Sequence, residues 1–404
     1  MRYIDFYVGV PLCFLFTGIT KLVSRLFPSA GAKPRNILFI ELSEMGSAIL
    51  ADPAMRKAKD TFDASLYFCI FAGNRESLLL LKTVPEDHIF TIRERSLVTL
   101  AVDTLRFLFW TRKKKIDAVI DLELFARFTA LLTGLSGAPK RVGFFAYHNE
   151  GLYRGGMLTH RVAYNPHIHI TRNFIALVNA LIADNGEVPY SKRAISDKEI
   201  ILATVSPSTG EKNELWKKVK REYPSLKRRS NHVVLINPNA SDMLPQRRWP
   251  PEYFSALIGM ILDYDETAVV LITGSPSEYD EAEEIRKITG IKRCVNFCGK
   301  VEFLELPALY SISTLMVTND SGPAHFSAVT DLRTFVLFGP ETPLLYGSLG
   351  NSTSIYAGLA CSPCVSAANH RKTSCRDNVC LQVISPSYVF DTIKSCLKNS
   401  TGIT

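Results

Sequence analysis

Val317-Thr318-Asn319-Asp320-Ser321-Gly322-Pro323-Ala324-His325 follows without a break on the apolar run that begins at Thr314. An apolar run feeding directly into Asp, Ser, Gly and Pro predicts a β-strand that turns straight into a helix. Asp320 and Ser321 are residues that cap helix starts, Gly322 lets a ligand approach the backbone, and Pro323 suits the first helical turn, where its missing N–H is no loss. The free amides and positive end of such a helix would face the carboxyl end of the strand and hold a phosphate or diphosphate without a metal. Alone, the stretch is equally an ordinary βα turn with a good cap, so its neighbours decide.

Those neighbours alternate regularly. Strands are expected at Asn36 to Ile40, Ser65 to Ile70, His88 to Thr91, Ala118 to Leu122 and Arg141 to Phe144. Helices are expected at Ile49 to Lys59, Arg75 to Leu81, Leu97 to Trp110, Arg127 to Leu135 and Arg172 to Ala183. Short β-rich runs separated by helical stretches mean parallel βαβ units, so residues 35–185 form one doubly wound domain. Residues 186–230 carry Pro189, Pro207, Gly210 and Pro224 around the charged helix Glu211 to Glu222, and read as a connection between domains. From His232 the alternation restarts and makes 231–404 a second Rossmann-like domain. The fold class is therefore α/β, two doubly wound domains facing a central cleft, with function expected at the carboxyl ends of the strands.

Composition narrows the chemistry. The 404 residues hold 47 Lys and Arg against 39 Asp and Glu, a formal charge of +8 that fits an anionic ligand or a membrane surface. The densest cationic cluster, Arg112 to Lys115, lacks interleaved aromatics and does not indicate nucleic acid. Neither half has a Gly-x-Gly-x-x-Gly turn after its first strand, which argues against a dinucleotide-dependent oxidoreductase. Of nine Cys, Cys361, Cys364, Cys375 and Cys380 are concentrated in one polar loop with His370, where a structural zinc, a redox-sensitive cluster and plain reduced packing all remain open. Phe6 to Ile19 is almost continuously apolar between Arg2 and Lys21 and Arg25. It is short for a membrane span, and Phe27-Pro28-Ser29-Ala30 is a mediocre cleavage context, so residues 1–28 are expected to lie in a membrane interface or on the protein's own surface.

Four loops after strands in the second half carry polar or glycine residues: Asn237 to Ser241, Thr273 to Pro276, Cys298 to Lys300, and Thr318 to His325. Four on one sheet edge point to a nucleotide. Arg247 and Arg248 extend the first loop with two guanidiniums suited to phosphate oxygens.

With these loops placed, the chain resembles glycosyltransferase family 9, the ADP-heptose:lipopolysaccharide heptosyltransferases, over about residues 36 to 395. Asn237-Pro238-Asn239-Ala240, followed by Arg248-Trp249-Pro250-Pro251-Glu252-Tyr253-Phe254, resembles one element of that family. Asn319 to His325, Phe338 to Thr342, Ile37 to Pro53 and the Cys361-Ser362-Pro363-Cys364 tail resemble others. The resemblance implies a GT-B fold, an acceptor in the first domain and a nucleotide-diphosphate sugar, ADP-linked in the family, in the second. It places Asn319, Asp320, Ser321, Gly322, Pro323 and His325 at the donor diphosphate and sugar, with Arg247, Ser241 and Lys300 beside them and Gly274, Ser275 and Glu278 near the nucleoside. It further implies inverting transfer of a heptose-like sugar to a lipopolysaccharide or cell-envelope glycan. The protein would work as a monomer on the cytoplasmic face of the inner membrane, with no required metal or cofactor.

One position departs from the family. Where the family has the Asp taken as general base, Gly46 is followed here by Ser47, which has no useful basicity near neutral pH. Glu44, in the same turn, is the best replacement, ahead of Glu41 and Asp52. A catalytically weakened protein that binds nucleotide sugar or glycan as a scaffold is the alternative.

Overall fold

The computed structural model describes residues 2–26, 33–124, 126–146, 153–183, 192–228, 230–366 and 371–398. The chain divides into two compact units, Met1–Ile201 and Leu202–Thr404.

The first unit opens with helices α1 (Arg2–Tyr7) and α2 (Gly9–Leu26). Then follow β1 (Asn36–Ile40), α3 (Met45–Leu50), α4 (Asp52–Phe62), β2 (Ser65–Phe71), α5 (Glu76–Leu81), β3 (Ile89–Ile92), α6 (Leu97–Lys113), β4 (Ala118–Asp121), α7 (Arg127–Leu135), β5 (Lys140–Phe144), β6 (His160–Val162) and α8 (Ile170–Ala180). All six strands are parallel, in the order β3-β2-β1-β4-β5-β6. Right-handed crossovers therefore put α3, α4 and α5 on one face and α6 and α7 on the other. The strands are near-continuous runs of Ile, Leu, Val and Phe because both faces are covered. Ile37, Leu38, Phe39 and Ile40 are fully buried, each contributing roughly 1.5–3 kcal/mol by leaving water.

The second unit begins with α9 (Thr209–Glu222), β7 (His232–Asn237), α10 (Pro251–Tyr264), β8 (Ala268–Ile272), α11 (Tyr279–Thr289), β9 (Cys294–Asn296), α12 (Leu306–Ser311) and β10 (Leu315–Asn319). It continues with α13 (Gly322–Ser327), β11 (Arg333–Phe338), α14 (Pro343–Tyr346), β12 (Ser352–Tyr356), α15 (Val379–Gln382) and α16 (Pro386–Lys398). Its sheet, also parallel, runs β12-β11-β10-β7-β8-β9. Trp249, Phe254, Leu257 and Ile258 from the start of α10 fill its core together with Ile384 and Val389.

The structure corrects several expectations. The single helix over 49–59 is two helices broken at Ala51, so Asp52 opens α4 instead of lying within a helix. Within 186–230, read as the interdomain connection, described residues pack on both sides of the division at Ile201–Leu202. Asp197 and Ile195 accept from Arg172 and Glu199 from Lys57 in the first unit, whereas α9 buries Leu215 and Val219 in the second and is tied to it by the Lys218–Glu305 pair. The N-terminal apolar stretch is longer than Phe6 to Ile19: Tyr3–Val23 is helical over 21 residues, long and apolar enough to cross a membrane. Two further strands are present: the three-residue β6, and β12, whose Ser352-Thr353-Ser354 start gives no apolar run. The cleavage-context residues 27–30 lie outside the described residues.

Candidate active site

In the second unit the strand order reverses between β10 and β7, with Thr318 level with Asn237. Connections leaving neighbouring strands in opposite directions open a crevice at their carboxyl ends, and most of the predicted donor residues leave from there. Asn319 is fully buried and spends its side chain on structure. Its Nδ2 donates to Pro238 O at 2.6 Å and its Oδ1 accepts from Trp249 N at 3.1 Å, locking the β7 loop to β10.

The two arginines part company here. Arg248 donates through Nε and Nη2 to Ala240 O at 3.1 and 2.8 Å, and pairs with Asp242 and Glu281. It shapes the loop. Arg247 lies 3.9 Å from Asp320 Oδ2, and its Nε is buried without a hydrogen-bond partner among the described residues. Asn237 Oδ1 and Asn239 Oδ1 are buried and unpartnered in the same loop region. Unsatisfied buried polar atoms of this kind are costly unless a ligand or water completes them.

The expected helix cap is corrected. Ser321 holds the cap position with extended φ −156° and ψ 178°, but its side chain makes no capping bond and Oγ turns back to Asn319 O at 3.2 Å. The helix it starts, α13, has six residues, so its dipole is small and the uncapped first-turn amides matter more. Pro323 stands in the first turn and His325 is buried in the same helix. Gly322 has a packing reason to be glycine: a Cβ there would come within 2.9 Å of the Phe326 ring.

Farther along the edge, Ser275 and Glu278 satisfy each other in a capping box, the carboxylate accepting from Ser275 N at 2.6 Å and Oγ at 2.8 Å. A Cβ on Gly274 would meet Asn239 Nδ2 at 2.6 Å and Cys298 Sγ at 2.8 Å, so loops after β7, β8 and β9 close on that glycine. Lys300 pairs with Glu222 of α9 at 3.1 Å, and Ser241 is exposed on the β7 loop. Sequence alone groups these residues equally. The structure separates Arg247, whose Nε has no partner among the described residues, from residues whose side chains hold the frame.

The cysteine loop proves to be a strap. Asn378 Nδ2 donates to Gln246 O at 3.2 Å and Arg248 O at 2.8 Å, Gln246 Nε2 donates to Cys375 O at 3.0 Å, and Trp249 Nε1 donates to Ile384 O at 2.9 Å. The chain from 375 to 384 thus clamps the loop carrying Arg247. Among the described residues no three His, Cys, Asp or Glu stand together to hold a metal. Cys361 is exposed, Cys375 donates to Asp377, and Cys380 is buried, its thiol pushed up to about 11 by that burial and by the neighbouring Cys364, Cys375 and Cys361. His370 lies outside the described residues.

In the first unit the matching reversal falls between β1 and β4, with Ile40 level with Asp121. Four carboxyl groups gather there. Glu123 Oε1 accepts from Leu42 N, Ser43 N and Ser43 Oγ at 3.1, 3.3 and 2.9 Å and so fixes the turn after β1. Buried Asp121 pairs with Arg154, which also donates to Ala126 O, Glu123 O and Thr129 Oγ1. Burial pushes Asp121 up to about 6 against the pull of Arg154. Burial likewise holds Glu41 well above the usual carboxyl range, reinforced by Glu123 and Glu44. Glu44 is the partly exposed member at the start of α3, and its Oε2 accepts from Ser47 Oγ at 3.1 Å. Asp52 is excluded as a base: it is fully buried, with Arg56 Nε at 2.9 Å and Thr83 Oγ1 at 2.5 Å on its two oxygens. Beside Asp121 and Arg154 a cavity of about 810 Å³ extends to α2, walled by Phe14, Leu15, Phe145 and Met157, with Lys21 and Arg161 adding cations.

The family model for glycosyltransferase family 9 (heptosyltransferase) matches residues 109–374, well over half of the chain. The chain belongs to glycosyltransferase family 9. Among curated proteins this family 9 chain is similar to the lipooligosaccharide heptosyltransferase 2 of Campylobacter jejuni, 29% identical over 188 residues, 45% of this chain and 56% of that one. It is also similar to the lipopolysaccharide core heptosyltransferase OpsX of Haemophilus influenzae, 24% identical over 251 residues, 61% and 64% of the two chains. It thus spans little more than half the length of the first relative. The structure of E. coli ADP-heptose lipopolysaccharide heptosyltransferase II matches it with a TM-score of 0.69 at 20% identity, over 90% of this chain and 99% of that one. E. coli heptosyltransferase WaaC with ADP matches with a TM-score of 0.61 at 16% identity, over 89% and 99%. The two parallel six-stranded sheets are those of the GT-B fold.

Sequence inspection of this family 9 member missed Asp121, Glu123 and Arg154. A signal was available. Ala118 to Leu122 is a strand ending in two carboxylates two residues apart, and in a doubly wound sheet β4 pairs beside β1 at the reversal.

Proposed function

We propose that the protein is an inverting glycosyltransferase that moves a heptose-like sugar from an ADP-linked or similar nucleotide-diphosphate donor to a lipopolysaccharide-type glycan. Family membership supports the class, and the relatives' names and the ADP bound in the E. coli protein support the donor and acceptor. The observation that carries the assignment of roles is the contrast at the β7 loop: Arg248 is consumed by Ala240, while Arg247 keeps a buried, unpartnered Nε beside Asp320. In this proposal Arg247 and the amides at Ser321 and Gly322 stabilise the departing diphosphate, a task oriented cations and amides perform without an obligatory metal.

Glu44 takes the acceptor proton. Its carboxylate reaches Ser47, the position at which the family has its base, while Glu123 holds the turn and Glu41 is buried. The cavity beside Asp121 suits an amphiphilic acceptor, and the apolar helix at residues 3–26 supports a peripheral position on the cytoplasmic face of the inner membrane. If deletion of residues 1–28 leaves membrane binding unchanged, that position is wrong.

The test is a thermal-shift panel of nucleotide sugars followed by turnover. A donor at one hundred times its Kd stabilises by about 2.7 kcal/mol, and Glu44→Gln should then lower kcat by roughly 10²–10⁴ with donor binding kept. The second reading, a scaffold that binds nucleotide sugar without turning it over, is favoured by Ser47. Binding with no turnover on any acceptor would establish it.

A further inference from the structure

Of twenty-seven large apolar side chains that stand exposed among the described residues, eleven lie between Tyr3 and Leu26 and five lie on α6. The two groups belong to one side of the first sheet. The crossover argument puts α6 and α7 on the same face, and α7 packs against both α6 and α2.

Helix α6 is apolar on both sides, unlike an ordinary surface helix: Phe107 is buried, and Leu100, Leu108 and Trp110 pack on the core. Its inner face carries Asp103, Phe107 and Thr111, with Asp103 taking the Arg93 guanidinium and Thr111 Oγ1 donating to Ser136 O. Its outer face carries Leu97, Val98, Val102, Leu105 and Phe109, the last 76% exposed. Charge follows the same pattern. Both acids of these helices turn inward: Asp103 to Arg93, and Asp5 to Arg127, where it also accepts from the backbone N–H groups of Arg127 and Phe128 and so caps α7 from outside. The exposed charges left are Lys21 and Arg25 on α2, and Arg106, Arg112 and Lys113 on α6, all cationic. An apolar stripe on helices whose own exposed charges are cationic complements the interface of an anionic bilayer.

The N-terminal helix is held along the domain. Asp5 fixes its start, Cys13 is fully buried, and Thr17 Oγ1 accepts from Gly156 N at 2.8 Å. We propose that α6 is a second membrane-contacting element, so that its outer face and that of residues 3–26 seat the first unit together on an anionic lipid surface. This rests on the membrane position proposed above and adds to it a second helix and a fixed orientation.

The test is flotation of the full-length protein with vesicles of phosphatidylcholine alone or mixed with phosphatidylglycerol, at low and high salt. Binding should favour the anionic vesicles and weaken with salt. The pair Leu105→Glu and Phe109→Glu should lower partitioning at least about tenfold, as should Phe14→Glu with Leu15→Glu, while Ile288→Glu on the second unit should change nothing. Loss with the Phe14 pair alone would overturn the role of α6 and leave the anchor standing. No flotation of the unaltered protein would overturn both. An α6 pair that instead turns a dimer into a monomer by light scattering, with flotation unchanged, would make this a protein contact and overturn the proposal. Should the charged variants misfold, Phe109→Trp keeps the surface apolar: its added emission should shift to the blue with anionic vesicles, and an unshifted spectrum would sink the idea.

Discussion

Arg247 and Arg248 are adjacent in sequence and opposite in bonding. Composition makes them interchangeable phosphate ligands, and only the fold shows that one guanidinium is already spent on the Ala240 carbonyl. Arg247→Ala should therefore weaken ADP binding by about 1.5–3 kcal/mol, roughly ten- to hundredfold in Kd by calorimetry, with little change in Tm. Arg248→Ala should lower Tm first. The carboxyl cluster behaves in the same divided way. Burial, with Glu123 and Glu44 beside it, raises the folded pKa of Glu41 above its unfolded one. The folded state then holds a proton that the unfolded chain has lost, and stability falls as pH rises through the interval between the two. Neutral Glu41→Gln removes that slope. Its Tm advantage over the unaltered protein should widen from pH 5 to pH 8, and a constant difference would refute the raised pKa. None of this was legible from Glu41 or Glu44 alone, since Glu123 arrives from 80 residues away.

At the scale of elements, most strands and helices were readable to within a few residues because parallel strands covered on both faces are continuous apolar runs. The misreadings have local causes. The helix over 49–59 breaks at Ala51 because Asp52-Pro53 starts a new one, with Pro in its first turn. The six-residue α13 has an uncapped start because Ser321 Oγ bonds backward. For the cysteine loop the sequence left a metal, a redox cluster and plain packing open; its described part acts through Asn378 and the Cys375 carbonyl as a clamp on residues 246–248. Asn378→Ala removes two bonds to that loop but none to a ligand. It should weaken ADP binding by about 0.5–1.5 kcal/mol while the core Trp249 stays buried, which tryptophan emission would report.

At the scale of the molecule, the division falls at Ile201–Leu202, and every proposed donor residue lies in the second unit. Residues 202–404 expressed alone should unfold cooperatively and bind ADP, whereas residues 1–201 should not. Failure of the isolated second unit to bind would show that its loops need the first unit to be ordered. The sequence by itself determined the two-fold repetition of a doubly wound sheet, the family and the neighbourhood of the site, because apolar periodicity and loop chemistry are local properties. The tertiary structure alone decided which arginine is spent on a backbone carbonyl, which glutamate is buried and which face of α6 meets solvent. Each of those depends on groups brought together across a strand-order reversal or a helix layer, and burial and bonding at such junctions are properties of the packed chain and not of any one segment.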